Sequence, residues 1–430
     1  STTDDKSYLG VEINGLTADL IGLESILEFH ATAVNVKVNK ATDTDNNVAT
    51  VPAKLDWDSL ATSGMTLASL AVDRALDVHA DGTVALNALS GVLVAKGSFD
   101  LDLGQVSTTA PSNGVSFTNA SAVSLTLSNV AVFVGTGGSL SNATATANVV
   151  NGSLGFAGTV TTLKVVSIKD TNNGSVSTTD DKNYLGVQIS GLTADLIGLE
   201  SILEFHAGNV SIQVNKATDA DNNVATVPAK LDWDSLSTTG MTLPSLAIDR
   251  GLDIHASGTV ALNALSGVLV ATGSFSLDLG QVSTTAPSNG VSFTNASAVS
   301  LSLTGARIFV GSGGSLSSAS STATVVNGSL GFGGTVGSLK VVSIKDTNNG
   351  SVATTDDRSY LGVEASGLGA DLIGLESILE FHAGGVGVKV NKASDSDNNV
   401  ATVPAKLDWD SLATSGMTLQ SLAIDRALDI

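Results

Sequence analysis

The chain has 430 residues, of which 42% are hydrophobic but only 4% aromatic, so Val, Leu, Ile and Ala have to fill its core. Its 41 acidic residues outnumber the 20 basic ones, the formal net charge is −21, and no basic cluster can neutralise phosphates. Nucleic acid and anionic membrane surfaces are therefore excluded as favourable partners. The absence of cysteine excludes disulfides and thiolate metal sites. No run approaches the ~18 apolar residues of a membrane span, so membrane insertion is not expected.

The first predicted elements in chain order, before residue 40, are β-strands that change phase. Apolar residues alternate with polar ones, but the parity of the alternation switches across Asn14-Gly15 and again between Ala33 and Val34. A β-bulge or a corner explains such a switch better than one flat strand. The same switch recurs across Ser128-Asn129.

The next segment, residues 43–60, is an acidic, turn-rich loop that offers oxygen ligands for calcium. Asp43, Asp45 and Asn47 take the first, third and fifth places of an EF-hand-like loop, but Val48 and Lys54 stand where Gly and the bidentate acid belong. The EF-hand match fails. We therefore predict only a low-affinity calcium site that includes Asp43 and Asp45, and the alternative is a plain turn stabilised by Asn and Asp.

Strand-like alternation resumes from residue 76, with turns expected at Asp81-Gly82, Ser90-Gly91 and Asn151-Gly152. Asp77, His79 and Asp81 share one face of the first of these strands and are a candidate cation site, the alternative being a polar outer face. Short helices are an alternative to strands around Leu20–Leu27 and Leu70–Ala75.

The residues around position 170 form a second acidic loop. Asp170, Asn172, Asp180 and Asp181 partly match a calcium-binding loop, so they complete the calcium prediction. Leu163, Val165, Leu185 and Val187 flank this loop, and we expect them to be buried if consecutive copies join without a hinge.

An internal repeat organises the whole sequence, because Tyr8, Tyr184 and Tyr360 recur at intervals of 176 residues in near-identical contexts. The predicted divisions are repeat copy 1 (1–176), copy 2 (177–352) and a partial copy 3 (353–430). Neither end resembles a natural terminus, so we expect the chain to belong to a longer tandem array. The point equivalent to Ala33 is Asn209 in copy 2 and Gly385 in copy 3, which favours the bulge prediction.

These features predict an all-β, elongated, repetitive architecture. Aliphatic filling, corner-like phase switches and copies that can stack end to end favour a parallel β-solenoid, or β-helix-like shaft. The alternative is a string of tandem antiparallel β-sandwich domains.

Taken together, the motifs YLGVEINGL, LDWDSL, DVHADGTVALNALSGVLVAKGSFDLDLGQV and NGSLGFAGTV resemble the tandem modules of giant bacterial secreted and cell-surface proteins. Those proteins are acidic, poor in cysteine and grouped with type I-secreted, calcium-associated adhesins. The resemblance implies an extracellular or cell-surface location, although the glycine-aspartate nonapeptide of calcium β-rolls does not occur in this chain.

For function, the sequence favours a structural segment: a stalk or filament for adhesion or cell–cell attachment, without enzymatic activity. Its expected partners are further copies of the same repeat, with lateral self-association into fibres, and calcium is the one expected cofactor. The alternative is a polysaccharide-active β-helix enzyme or a glycan-binding module. An enzyme of that kind needs clustered carboxylates beside Arg or Lys in a groove.

Overall fold

The structure is a computed structural model that describes residues 6–23, 26–43, 52–170, 182–219, 228–346, 357–395 and 404–428. These residues form β-strands, turns and extended chain without any helix, so the all-β prediction is confirmed. The two segments for which a short helix is the alternative lie around Leu20–Leu27 and Leu70–Ala75. Their described residues form strand, turn or extended chain. Within the described ranges there is accordingly no helix that could cross a membrane.

Long strands dominate, with a few strands of two or three residues between them. Their bounds are β1 Lys6–Asp19, β2 Leu27–Asp43, β3 Leu76–Ala88, β4 Leu93–Thr108, β5 Ala120–Thr136, β6 Ser139–Leu140, β7 Val149–Val150, β8 Leu154–Asp170, β9 Lys182–Ile197, β10 Leu203–Asp219, β11 Thr238–Gly240, β12 Leu252–Ala264, β13 Leu269–Thr284, β14 Ala296–Ser312, β15 Ser315–Leu316, β16 Val325–Val326, β17 Leu330–Asp346, β18 Arg358–Ile373, β19 His382–Asp395 and β20 Thr414–Gly416.

The chain divides into two compact units. Unit 1 contains Ser1–Gly155, Thr159–Gln188 and Asn215–Ile248, and unit 2 contains Phe156–Gly158, Ile189–Val214 and Asp249–Ile430. In unit 1 the strands pair in the order β1-β2-β3-β4-β5, and in unit 2 in the order β12-β13-β14-β17-β18-β19. Unit 1 therefore combines most of copy 1 with a segment that the sequence assigns to copy 2.

Strand direction corrects the first choice of architecture. The pairings between these neighbouring strands are antiparallel in both units, so the parallel β-solenoid prediction is wrong. The reason lies in the connections: Leu89, Ser90 and Gly91, all with positive φ, turn the chain directly from β3 into β4. A parallel neighbour would need a crossover of roughly a dozen residues or more.

The phase switches are β-bulges, as the sequence predicts. The β1–β2 register shifts between Ile13 and Leu16, and the β2–β3 register shifts between Thr32 and Asn35. Ala33 has φ 51° and Asn129 has φ 52°, in the left-handed region. The turn at Ser90-Gly91 is also confirmed, whereas Asp81-Gly82 lies inside β3 because the strand continues through it.

One face of each sheet is covered by an extended segment that we call the strap. The strap of copy 2 is residues 231–248 and the strap of copy 3 is residues 407–424, while the equivalent in copy 1, residues 55–72, is the first strap. In unit 1, Trp233, Leu246 and Ile248 of the strap are buried. They lie on the side of the sheet where Val166, Ile168 and Tyr184 are also buried, and they form much of the core with them.

A second cover, the β6–β7 ribbon, closes another part of the unit 1 sheet. Phe133 and Val94 are buried beside Gly138, which precedes β6, and Ala85 and Ala147 are buried as well. A Cβ on Gly138 would lie 2.5 Å from the Phe133 ring, so glycine is required for the ribbon to approach this closely. Unit 2 repeats the arrangement with β15–β16 over Phe309.

The residues that flank the acidic loop after β8 correct one further prediction. Leu163, Val165, Leu185 and Val187 are only half-buried, whereas neighbours of the opposite parity, Val166, Ile168 and Tyr184, are fully buried. The strap covers only one face of the sheet. Val166, Ile168 and Tyr184 lie on that face and belong to the core, whereas Leu163, Val165, Leu185 and Val187 lie on the other face.

Candidate functional site

The predicted calcium residues fall partly within the structure. Asp43 ends β2 and Asp170 ends β8, and both are buried, as are their equivalents in the later copies, Asp219, Asp346 and Asp395. Burial, and then the negative charge of Asp170, raises the pKa of Tyr184. Asp45, Asn172, Asp180 and Asp181 lie outside the described residues, so the calcium site stays a prediction.

The structure gathers a different carboxylate cluster around His79. The Nδ1 atom of His79 is 2.7 Å from Asp102 Oδ1 and its Nε2 atom is 2.9 Å from Asp81 Oδ1, while Asp100 lies 3.8 Å from Nδ1. The antiparallel register of β3 and β4 places His79 opposite Asp102 and Asp81 opposite Asp100. Spacing along one strand does not reveal Asp100 and Asp102 as partners, because the register between two strands brings them to His79.

Asp77 is not part of this cluster. Its carboxylate instead forms an ion pair with Lys54, whose Nζ atom is 2.5 Å from Asp77 Oδ1 and also donates to the Leu76 carbonyl. The candidate set of Asp77, His79 and Asp81 is therefore corrected to His79, Asp81, Asp100 and Asp102. Of these, His79, Asp100 and Asp102 each present a ligand atom within 4.8 Å of the other two, close enough to hold a divalent cation.

Copy 2 keeps the histidine but loses two of the three carboxylates. His255 Nδ1 is 2.6 Å from Asp278 Oδ1, and its Nε2 atom is 3.1 Å from the Ser257 hydroxyl. Ser276 stands opposite Ser257, where copy 1 has Asp100 opposite Asp81. Copy 2 therefore lacks the full cluster that copy 1 has.

The second histidine position is bridged between two carboxylates in every copy. His30 Nδ1 lies 2.7 Å from Asp19 Oδ1 and its Nε2 atom 3.1 Å from Glu28 Oε1, and His206 and His382 repeat both contacts. The hydrogen bond to Asp19 is the main cause that raises the pKa of His30. For His206, burial lowers the pKa, but the bonds to Asp195 and Glu204 outweigh it, so the pKa is raised. A doubly bridged imidazolium cross-links two strands.

The strap is anchored first to its own copy. In copy 2 the Trp233 indole N–H donates to Asn215 Oδ1 over 2.9 Å, and the Asn215 amide donates to the Leu231 carbonyl over 2.9 Å. The Trp57–Asn39 and Trp409–Asn391 pairs form the same contact. A Cβ on Gly186 would lie 2.5 Å from Leu246 and 2.9 Å from Trp233, so glycine gives the strap room on its own strand.

The strap of copy 2 then binds the sheet of copy 1 through its backbone. β11 of this strap pairs with β4, and the Met241 N–H donates to the Gln105 carbonyl over 2.9 Å. The Thr109 N–H donates to the Ser237 carbonyl over 3.0 Å. Most of these contacts are to main-chain atoms, so they give little signal in the sequence.

Side chains in the loop after β4 hold the beginning of the same strap. The Ser112 hydroxyl accepts from the Asp232 N–H over 3.0 Å and lies 3.1 Å from the Asp232 carbonyl. The Asn113 amide donates to the Lys230 carbonyl over 2.9 Å.

Unit 2 reproduces this interface between copies 2 and 3. β20 pairs with β13, Met417 N–H donates to the Gln281 carbonyl over 2.9 Å, and Ser288 and Asn289 hold Asp408 and Lys406 as Ser112 and Asn113 hold their partners. The same set of contacts is therefore made twice, one repeat apart.

The first strap offers a direct control for this interface, because residues 55–67 and 407–419 have the same sequence, LDWDSLATSGMTL. Met417 is 3% exposed, and Met241 at the same place in copy 2 is 5% exposed, but Met65 is 77% exposed. Residues 414–416 form β20, whereas residues 62–64 form no strand. An identical sequence thus changes its burial and its secondary structure with the presence of a preceding copy.

A polar cavity of about 610 Å³ lies beside the copy 2 strap in unit 1. Its lining includes Lys54, Arg74, Asn39 and Gln105, and Asp77 is the one carboxylate among the lining residues. Since Asp77 is paired with Lys54, this cavity does not provide the two carboxylates that glycoside hydrolysis ordinarily uses.

Comparison of the chain with protein-family models, with curated proteins and with solved structures finds no match in any of the three.

Proposed function

We propose that the chain is an extracellular structural segment of a giant surface or secreted protein, forming a stalk or filament for adhesion or cell–cell attachment. The observation that carries the proposal is the strap: in copies 2 and 3 it leaves its own strand pair and binds the sheet of the copy before it through the same contacts.

This arrangement suits a mechanical role because each copy is tied to its neighbour by backbone hydrogen bonds and buried side chains. In proteins built of repeats, stability is close to a sum of the terms within repeats and between neighbours, so copies can be added in constant increments. The contacts of Ser112 and Asn113 with copy 2 recur at Ser288 and Asn289 with copy 3, so no copy needs a unique site. The net charge of −21 favours a soluble array, and the resemblance to secreted modules favours an extracellular location.

The test is a series of variants that carry one, two or three full 176-residue periods. A structural repeat predicts that the particle length measured by electron microscopy grows by a constant increment per period. Particles that do not lengthen with added periods would contradict the proposal, and so would turnover of any polysaccharide in a glycan panel.

The second candidate, a glycan-binding module, is favoured by the polar cavity that Lys54 and Arg74 line. Arg and Lys donors on a concave polar surface are suited to hydroxyl and carboxylate groups of acidic sugars. Binding of an acidic polysaccharide that is lost in Arg74→Ala would support this function. Unchanged binding in Arg74→Ala, or no binding at all, would exclude the cavity as its site.

A further inference from the structure

The first strap and the neighbouring edge of β1 form a surface on which Leu9, Met65 and Leu67 are exposed, whereas their counterparts in copies 2 and 3 are buried or half-buried. We propose that this surface, residues 55–72 with the outer edge of β1, is a docking site for another copy of the same repeat. The inference rests on the proposed function and adds the surface, the partner and the register of binding.

In copies 2 and 3, backbone groups of the strap form hydrogen bonds with the preceding copy, and the first strap has the same backbone groups without those partners. Ser237 O and Met241 N bond to Thr109 and Gln105 of the preceding copy, and Ala61 O and Met65 N are the equivalent atoms of the first strap. Among the described residues, no hydrogen bond to either of these two atoms is found. Met65 and Leu67 are exposed beside them, so the first strap presents apolar side chains together with unpaired backbone groups.

The strand side of the surface shows the same difference. β18 pairs with β17 on one edge and with β19 on the other, whereas β1 pairs with β2 alone in the described part of the chain. Leu9 on β1 is exposed. Tyr8 is half-buried, while Tyr184 and Tyr360 are fully buried and pack 6.3 Å from the rings of Phe117 and Phe293. An unpaired strand edge is a template for pairing with a further strand.

Another copy of the repeat is the partner that satisfies both sides at once. It would add a strand equivalent to β17 along β1, a Phe beside Tyr8, and a Gln105-type carbonyl for the Met65 N–H. In the described structure, β4 of copy 1 already pairs with the strap of copy 2, and β13 of copy 2 already pairs with the strap of copy 3. The partner must therefore be an additional copy whose own strand equivalent to β4 is not yet paired with a strap.

The experiment uses the absence of cysteine from the chain, since Met65→Cys introduces a unique thiol. A second chain carries one more copy, residues 1–176, placed before Ser1, so that Ser1 follows Val176 as Ser177 does in the sequence. Maleimide labelling of M65C is measured in both chains, with Met241→Cys as the matched control for a covered strap. We expect M65C to label fast in the 430-residue chain and at least ~10-fold slower after the copy is added, as buried sites react only through local opening.

A further variant identifies the contact that gives protection. Ser112→Ala with Asn113→Ala in the added copy removes the side chains that hold the strap in the two described interfaces, and we expect it to restore part of the fast labelling of M65C. Equal labelling of M65C in the short and extended chains, with M241C protected in both, would overturn the inference and leave the proposed function standing. Fast labelling of M241C as well would show that straps do not dock at all, and the proposed function would fail with it.

Discussion

At the scale of single residues, cross-strand register explains the two recurring histidine positions. His30 stands opposite Asp19 and His79 opposite Asp102, so each imidazole bridges to the neighbouring strand as well as to an acid on its own strand. The raised pKa of His30, His79, His206 and His382 follows from these carboxylates, which favour the charged imidazolium. Some of the excess acidic residues of the chain therefore link neighbouring strands through these histidines.

The buried histidine of copy 2 gives the first prediction. Because the folded pKa of His206 lies above its unfolded value of about 6.5, its stabilisation is complete below that pH and is lost as pH rises through the folded pKa. We expect His206→Gln to lower the free energy of unfolding by about 1 kcal/mol at pH 6 and by less at pH 9. Urea unfolding at the two pH values measures this difference.

His382→Gln is the matched control for that experiment, since His382 makes the same two contacts on an exposed surface. We expect a smaller effect there because solvent screens exposed pairs. A larger loss for His206→Gln at pH 9 than at pH 6 would contradict the sign of the shift.

The methionine of the strap gives the second prediction. Met241→Ala removes a side chain that is buried against Gly104, and we expect it to destabilise the protein by about 2–4 kcal/mol through lost burial and a cavity. Met65→Ala changes the same residue type in an exposed strap and should stay within about 0.5 kcal/mol. Chemical unfolding of both variants measures the two values, and equal losses would mean that the copy 2 strap is not docked.

At the scale of elements, the bulge in the second strand of each copy shows one backbone requirement met by three residues. Ala33 has φ 51°, Asn209 has φ 49° and Gly385 has φ 66°. A left-handed backbone is unfavourable for alanine, tolerable for asparagine and free of steric cost for glycine. The bulge is therefore set by strand pairing and not by one residue type.

The third prediction follows from that comparison. Ala33→Gly removes left-handed strain of about 1–2 kcal/mol and adds unfolded-state entropy of about half that size, so we expect a net stabilisation of about 0.5–1 kcal/mol. Gly385→Ala is the reciprocal control, because a Cβ there would meet no atom within 4 Å and only the backbone conformation is tested. Thermal unfolding of both variants measures the changes, and a loss of stability in Ala33→Gly would refute the strain argument.

At the scale of the whole molecule, buried aspartates recur at the ends of equivalent strands. Asp43, Asp219 and Asp395 end equivalent strands and are buried, so the same carboxylate recurs beside the same loop in each copy. If these carboxylates bind a cation, the same site would recur in each repeat, and the cation would stabilise each repeat in the same way.

The fourth prediction is that calcium stabilises the chain. With the 10⁻⁴–10⁻³ M affinity range of extracellular calcium modules, about 10 mM Ca²⁺ should add roughly 1–3 kcal/mol per site and raise Tm. Asp43→Asn and Asp170→Asn should each reduce this increase. Magnesium is the control cation, because its smaller, stricter coordination shell should produce a weaker effect. An unchanged Tm across a calcium titration would remove the hypothesis.

The all-β fold class and the repeat can both be predicted from the sequence alone. Alternation of apolar and polar residues predicts β-strands, the parity switches at Ala33 and Ser128-Asn129 predict bulges, and the 176-residue period follows from identity alone. These features are local or self-comparing, so no knowledge of strand partners is required. Strand direction is different, because alternation is the same in parallel and antiparallel sheets, and the short turn at Leu89–Gly91 decided it.

Which residues contact one another across strands depends on the tertiary structure. The β3–β4 register places His79 opposite Asp102. Met241 bonds to Gln105 through its backbone N–H, a group that nearly every residue has. The clearest case is the strap, where one thirteen-residue sequence buries Leu407, Trp409 and Met417 in copy 3 but leaves Met65, the equivalent of Met417, exposed in copy 1. The state of the strap depends on whether a neighbouring copy supplies a strand edge and an apolar face, and that information is not contained in the strap itself.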